Sequence, residues 1–330
     1  MNEAARKTVL SGVRPTGPAH LGNYVGAFRN WLRLQDEYRC FYSIVTWHAL
    51  TSEYANSKVI KEYTFEVATD LLSLGLDPAK CVLFNQSEVK EHAELHLLLS
   101  MIVPLPWLER VPTFKEQQAE MAEKELNTYG FLGYPLLQTA DIIIYKADVV
   151  PVGEDQVFHL ELAREIVRRF NRLYAPVFPE PQTLLTEIPK LAGVDGRKMS
   201  KSYGNAIYLK DTAEEIRRKI EPMVTDTRRK RRSDQGEPDD CPVFTLHRAF
   251  VEPARRDGIA AECRKAGIGC LECKNVVIQA IIGLLTPYWE KRAAFEKNPR
   301  TVWDILEDGN ARAREAARKT MVEVRDAIGV

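Results

Sequence analysis

Through its first half this chain alternates short β-rich apolar runs with stretches of helical periodicity, and that alternation restricts the fold more than any other feature. Thr8–Ser11, Cys40–Val45, Cys81–Phe84 and Asp148–Val152 are short, rich in β-branched and aromatic residues, and read as strands. Between the first two, Val25, Phe28 and Leu32 recur at i, i+3 and i+7. Later, Ile60, Tyr63, Val67, Leu71 and Leu74 keep one apolar face for about four turns. Strand then helix, repeated, predicts an α/β fold, a doubly wound parallel sheet with helices on both faces. Such sheets bind ligands at the carboxyl ends of their strands, so the site belongs in strand-to-helix loops.

The pattern changes near Pro189. A glycine-containing loop, Leu191 to Gly196, leads into a polar segment, and charged helical sequence follows over Thr212–Ile220, Lys274–Glu290 and Trp303–Ile328. An α-helical C-terminal domain without strands is expected. The 330 residues contain 46 Lys and Arg against 46 Asp and Glu, so bulk charge selects neither a nucleic acid nor a membrane as partner, and local clusters must decide. No apolar run approaches the roughly 20 residues of a membrane span. The start, MNEAARKTVLSG, lacks the apolar core of a signal peptide, so no membrane association and a cytoplasmic location are expected. Six cysteines in a chain of this size and location argue for thiol or metal chemistry over a disulfide framework.

The first strand ends in VRPTGPAHLGNY. Its glycines allow close backbone approach, and Asn23 can cap the next helix, a geometry suited to phosphate at a helix N-terminus. His20 can donate a hydrogen bond to oxygens whose negative charge grows in a transition state. Far down the chain, RKMSKSYGN carries Lys198 and Lys201.

Together the two strings resemble the paired signatures of the class I aminoacyl-tRNA synthetases. The resemblance implies a Rossmann-type catalytic domain over 1–190, a mobile lysine loop over 191–210 and a helical tRNA anticodon-binding domain over 211–330. It also implies that His20, Asn23, Lys198 and Lys201 act on ATP while an amino-acid carboxylate attacks the α-phosphate, with Mg2+ accompanying the nucleotide. Such chemistry rests on positioning and electrostatics, without a covalent enzyme intermediate.

Two further strings narrow the branch. GYPLLQTADIIIY spaces Tyr134, Gln138 and Asp141 along about one helical face, and VVPVGEDQ places Gly153 to Gln156 at a strand end. PTGPAHLGNYVGA and VPVGEDQ are similar to the tryptophanyl enzymes; tyrosyl enzymes more typically carry a second glycine where Glu154 stands. The competing readings are a tyrosyl enzyme and a catalytically silent RNA-binding paralogue. The intact His20, Asn23, Lys198, Lys201 and Asp141 argue against the silent one. By this resemblance Asp141 accepts the indole N–H of L-tryptophan, while Tyr134, Gln138 and Gln156 surround its ammonium and carboxylate. Leu10, Val45, His48, Val150 and Val152 would shape the ring pocket. The ATP side would comprise Arg14, Pro15, Thr16, His20, Gly22, Asn23, Gly153, Glu154, Asp155, Val194 near adenine, and Lys198, Met199, Ser200, Lys201 and Ser202. Lys115 is a further phosphate candidate, set against an ordinary solvated helix lysine. The chain departs from the commoner pattern at Arg14, where glutamine is frequent, at Thr46, where aspartate is, and at Gln138, where many members have methionine. The family works as a homodimer on tRNA(Trp).

In the helical half, Cys241, Cys263, Cys270 and Cys273 form C-x21-C-x6-C-x2-C. Four thiolates suit tetrahedral zinc or an iron–sulfur cluster, and free cysteines also serve as small buried hydrophobes. The spacing resembles a subgroup of tryptophanyl enzymes with a 4Fe-4S cluster, which favours the cluster over Zn2+. Just upstream lies RRKRR, Arg228 to Arg232. In most proteins this would be a solvated face, but here it is a candidate contact for tRNA phosphates.

Overall fold

The computed structural model describes residues 6–111, 128–153, 156–185 and 191–330. Lys115, Glu154 and Asp155 lie outside the described residues. Strand β1 (Thr8–Val13) leads into α1, which starts α-helical over Leu21–Asn23, widens to a π-helix over Tyr24–Phe28 and closes as α-helix over Arg29–Glu37. There follow β2 (Arg39–Ile44), α2 (Thr46–Glu53), α3 (Val59–Leu74), β3 (Cys81–Asn85), α4 (Glu91–Ser100), α5 (Leu105–Glu109), α6 (Tyr129–Leu132) and α7 (Tyr134–Ile143). Strand β4 (Val149–Val152), α8 (Val157–Leu173) and β5 (Gln182–Leu185) complete this half.

The sheet runs β3-β2-β1-β4-β5 with every pair parallel. The chain walks outward from β1 to β3, then crosses back to β4 on the other side of β1, so the topological switch lies between β1 and β4. The crevice outside those strand ends is where such a sheet can receive a ligand. Buried apolar runs hold the strands in place. Tyr42 of β2 stacks on Trp31 of α1 with ring centroids 4.4 Å apart and donates its hydroxyl to the Trp31 carbonyl. Strand β5 is absent from the sequence-based expectation. Its residues are exposed or half-buried at the sheet edge, so no alternation marks them.

The second half is helical as expected: α9 (Ala213–Ile220), α10 (Pro242–Phe250), α11 (Pro253–Arg264), α12 (Cys270–Lys297) and α13 (Pro299–Ile328). Thr212 and Glu215 close a reciprocal cap on α9. By length and composition α12 is apolar enough to cross a bilayer, which the sequence reading did not anticipate. In the fold, however, its Val277, Ile278, Ile281, Leu285 and Tyr288 are buried against protein, and it carries the buried cations Lys274 and Arg292. That is how a core helix is built.

Helix α13 returns to the sheet. Ala313, Ala317, Met321 and Val324 are fully buried in one cluster with Leu10 and Phe84. The approach is closest at Gly309, where a Cβ would overlap the Leu83 carbonyl of β3, and the next residue, Asn310, accepts the Asn85 backbone N–H at 2.8 Å. Gly309→Ala must push the helix off the strand. It should destabilise the protein by about 1–3 kcal/mol, the usual range for overpacking, measured as a lower urea midpoint at unchanged slope.

Candidate active site

Two adjoining cavities open at the switch point. The larger, about 340 Å3, falls in the size range of small-molecule sites. It is lined by Leu10, Val45, His48, Tyr134, Gln138, Asp141, Val150, Val152 and Gln156, so every residue expected around an indole and its amino-acid head is brought together there. Gly153, expected on the nucleotide side, lines this cavity too. Strands β1 and β4 supply the apolar floor, and α7 presents Tyr134, Gln138 and Asp141 along one face.

Asp141 is 3% exposed, and a bare carboxylate in such a place would be costly. Three side chains donate to it: His48 Nε2 at 2.9 Å to Oδ2, His92 Nδ1 at 2.6 Å to Oδ1, and Gln86 Nε2 at 2.8 and 2.7 Å to both oxygens. Burial pushes its pKa up. The hydrogen bonds from His48 and His92 outweigh burial and hold it well below the usual carboxylate range. An ionised carboxylate only accepts, so His92 carries its proton on Nδ1, and its Nε2 faces the Tyr145 hydroxyl at 2.7 Å. Burial, then the Asp141 charge, keep Tyr145 protonated, so that hydroxyl donates to His92.

Sequence reasoning did not single out Gln86, His92 or Tyr145. His92 and Gln86 are 0% exposed on short elements after β3, and nothing local distinguishes them from core polar residues. Only the fold brings them beneath α7.

The smaller cavity, about 200 Å3, is lined by Arg14, Thr16, His20 and Asn23 from the loop after β1 and by Ser200, Lys201 and Ser202 from the lysine loop. Arg14 borders both cavities and so stands between the two ligand spaces. The two distant sequence strings are physically joined. Lys201 Nζ donates to the Gly17 carbonyl at 2.8 Å, Leu21 N–H to the Ile207 carbonyl at 2.9 Å, and His20 forms a β-bridge with Tyr208.

The helix cap differs from expectation. His20, not Asn23, is the capping residue: its Nδ1 accepts the Asn23 backbone N–H at 3.3 Å, while Asn23 Oδ1 accepts the His20 N–H at 3.1 Å. Because Nδ1 is an acceptor, the ring proton sits on Nε2. Burial, then the neighbouring Lys201 charge, pull the His20 pKa down to about 4, so the ring is a neutral donor at physiological pH. Gly22 works through this ring, since a Cβ there would lie 2.9 Å from His20 Cε1 and Nδ1. Burial also lowers Lys201, to about 8, against the raising pull of Asp70.

Pro15, Val194, Lys198 and Met199, also expected on the nucleotide side, do not line this cavity. Pro15 and Met199 are buried, Met199 within the core, and Lys198 is exposed. Val194 packs against the core, its backbone bonded to Asn205 and Val224.

The four late cysteines are free thiols of intermediate exposure, gathered where α10, α11 and α12 meet. They are not drawn in around one point: among the described residues, no group of three or more His, Cys, Asp or Glu side chains is placed to hold a metal ion. Two sulfurs face protein groups instead. Cys273 Sγ lies 3.2 Å from His247 Nε2, and Arg229 donates to Cys263 Sγ at 3.6 Å. The thiols still sense one another. Burial raises Cys273 to about 12, with Cys241, Cys263 and Cys270 adding to the rise.

The RRKRR run is solvent-facing except at the half-buried Arg229, and ion pairs run along it. Arg228 pairs with Asp226 and Asp240, Arg229 spans Cys263 and the Arg232 and Ile268 carbonyls, and Arg232 pairs with Glu272. Lys230 and Arg231 are exposed and form none of these pairs.

Comparison with known proteins agrees with this architecture. The Thermotoga maritima tryptophan–tRNA ligase is 51% identical over 324 residues, covering 98% of this chain and 99% of that protein. That of Aquifex aeolicus is 42% identical, covering 98% and 99%. Among solved structures, the tryptophanyl-tRNA synthetase of Campylobacter jejuni, complexed with ADP and tryptophan, superposes with a TM-score of 0.87 at 31% identity, covering 98% of this chain and 100% of that one. The family model for class I tRNA synthetases (W and Y) matches residues 2–286, and the chain belongs to that family.

Proposed function

We propose that the chain is a tryptophan–tRNA ligase, activating L-tryptophan with ATP and transferring it to the 3′ end of tRNA(Trp). The observation that carries this reading is the buried, ionised Asp141 at the base of an apolar cavity adjoining the phosphate-sized one. A fixed acceptor beneath β1 and β4 suits an indole N–H, and three protein donors already hold its charge in place. Phenylalanine would bring no donor to Asp141, and tyrosine would bring its hydroxyl to a different depth, so selection rests on the hydrogen bond that only the indole N–H adds.

The neutral His20 donates from Nε2 into the smaller cavity, and the Lys201 ammonium lies across it. Both would stabilise charge growing on the α-phosphate and departing pyrophosphate as the tryptophan carboxylate attacks. Arg14 stands between carboxylate and phosphate. Among the described residues no acidic side chain lines this cavity, so Mg2+ would ride on the nucleotide oxygens. In this reading residues 1–190 carry activation, 191–210 close on ATP, and 211–330 meet the tRNA. The family resemblance makes the chain a homodimer in this reading, which sedimentation velocity checks.

ATP–pyrophosphate exchange should occur with tryptophan and not with tyrosine. Asp141→Ala should lower kcat/KM for tryptophan about 100-fold, the equivalent of one charged hydrogen bond of roughly 3 kcal/mol, at unchanged KM for ATP. Exchange with tyrosine alone would transfer the assignment to the tyrosyl branch, and exchange with neither would make the chain a silent paralogue.

For the helical half we infer phosphate contact through Lys230 and Arg231, which are exposed and, among the described residues, outside the ion pairs that Arg228 and Arg232 form. Lys230→Gln with Arg231→Gln should raise KM for tRNA and flatten its salt dependence by about two released counterions, leaving exchange intact. An unaltered salt slope rules the contact out.

We also infer that Cys241, Cys263, Cys270 and Cys273 hold a 4Fe-4S cluster. An all-sulfur set with Arg229 donating to one member suits thiolates, and the C-x21-C-x6-C-x2-C spacing is the support for a cluster over a single zinc. Bound there, the group would tie the start of α10 to α11 and α12. Protein prepared without oxygen should be brown, with broad visible absorption. Colourless protein with one zinc per chain would replace the cluster by zinc.

A further inference from the structure

Helix α12 belongs to the helical half, yet one turn of it reaches the residue just before His20. Ala19 donates its backbone N–H to Asp70 Oδ2 of α3 at 3.1 Å, and its carbonyl accepts the Leu209 N–H at 2.9 Å. Both anchors are gripped from α12. The Tyr288 hydroxyl donates to Asp70 Oδ1 at 2.6 Å, Arg292 Nη1 donates to the same oxygen, and Trp289 Nε1 donates to the Leu209 carbonyl at 2.9 Å. Arg292 also reaches Glu66 on α3 and Glu296 on its own helix, each at 2.8 Å. Asp70 is 1% exposed and Arg292 5%, so this is a desolvated pair in which each charge depends on the other.

We propose that Asp70 and Arg292 are a positioning pair for adenylate formation, through which α12 fixes the Ala19 peptide and hence the direction of the His20 ring, while Asp70 sets the field around Lys201. The proposal rests on the reading of His20 and Lys201 as the groups that meet ATP. A buried ion pair serving stability alone would not need the Ala19 amide. Here the carboxylate holds it, and the second anchor, Trp289 to Leu209, holds the carbonyl side of the same residue. The charged and titratable groups around Lys201 include Arg14 and His20 on the first loop and Tyr63 and Asp70 on α3, with Arg292 of α12 behind Asp70. Of these Asp70 is the anion, and it offsets part of what burial does to the ammonium.

The sign of the pH effect follows. Lys201 loses its proton as pH rises through about 8, so kcat/KM for ATP, which reports the free enzyme, should fall on the alkaline side near that pH. Removing the Asp70 charge lowers the Lys201 pKa further and moves the limb to lower pH.

The test is ATP–pyrophosphate exchange from pH 6 to 10 on the full chain with Asp70→Asn, Arg292→Lys and Lys201→Met, each checked for tryptophan binding by equilibrium dialysis. Asp70→Asn should lower kcat about 100-fold, the scale of a misplacement of about 1 Å at the reacting centre, at unchanged tryptophan affinity, with the alkaline limb displaced downward. Arg292→Lys keeps the charge and loses the forked geometry, so kcat should fall while the limb stays. That variant supplies the reading if Asp70→Asn fails to bind tryptophan. Exchange within two-fold of wild type in either variant that binds tryptophan, or an unmoved limb in Asp70→Asn, would overturn the pairing. If Lys201→Met also exchanges normally, it is the reading of the nucleotide site that fails; if Lys201→Met is dead and the pair variants are not, only the positioning claim falls.

Discussion

A carboxylate sealed beneath the carboxyl end of a hydrophobic sheet remains charged only if donors surround it, and Asp141 shows what that requirement does to the fold around it. Its partners come from three elements: His48 from α2, Gln86 from the turn after β3 and His92 from α4. None is near Asp141 in sequence, so the packing of α7 against the β2–β3 side of the sheet and the ionisation of the site are one constraint. Loss of any donor leaves charge poorly compensated. The chain of donation from Tyr145 through His92 to Asp141 leaves the ring tautomer no freedom, and the acceptor meets the cavity in one orientation.

The same economy governs the nucleotide side. A glycine at position 22 lets the His20 ring turn back and cap its own helix, and that cap consumes Nδ1, which leaves Nε2 as the proton-bearing nitrogen. Lys201, although far away in sequence, closes onto the Gly17 carbonyl of the same loop. In the function proposed above, this imidazole and ammonium would meet the nucleotide with little reorganisation left for the reaction itself. The π-helical widening at Tyr24–Phe28 directly follows this cap, as such local irregularities often do beside functional sites.

What the sequence disclosed depended on how local the signal was. Strands β1 to β4 and helices α3, α7, α9, α12 and α13 carry their own periodicity or buried runs, and they lie where the pattern put them, to within a few residues. Strand β5 carried none, because an edge strand with half-exposed residues has no face to advertise. Residues of the two signature strings meet across the smaller cavity, and Tyr134, Gln138 and Asp141 line the larger one from a single helix. The donors to Asp141 and the Asp70–Arg292 pair were invisible for the converse reason: each is a meeting of elements remote in sequence. The partners of the RRKRR run were invisible for the same reason: Asp240, Glu272, Cys263 and the Ile268 carbonyl reach it from elsewhere in the fold.

The central claim is that one continuous crevice at the β1/β4 switch holds an indole against Asp141 and a triphosphate between His20 and Lys201. A crystal structure of the protein with tryptophan and a non-hydrolysable ATP analogue tests it most directly. The account predicts the indole nitrogen within hydrogen-bond distance of an Asp141 oxygen, with the α-phosphate facing His20 Nε2 and Lys201 Nζ. Density for either ligand in another part of the molecule, or an indole turned away from Asp141, would contradict it.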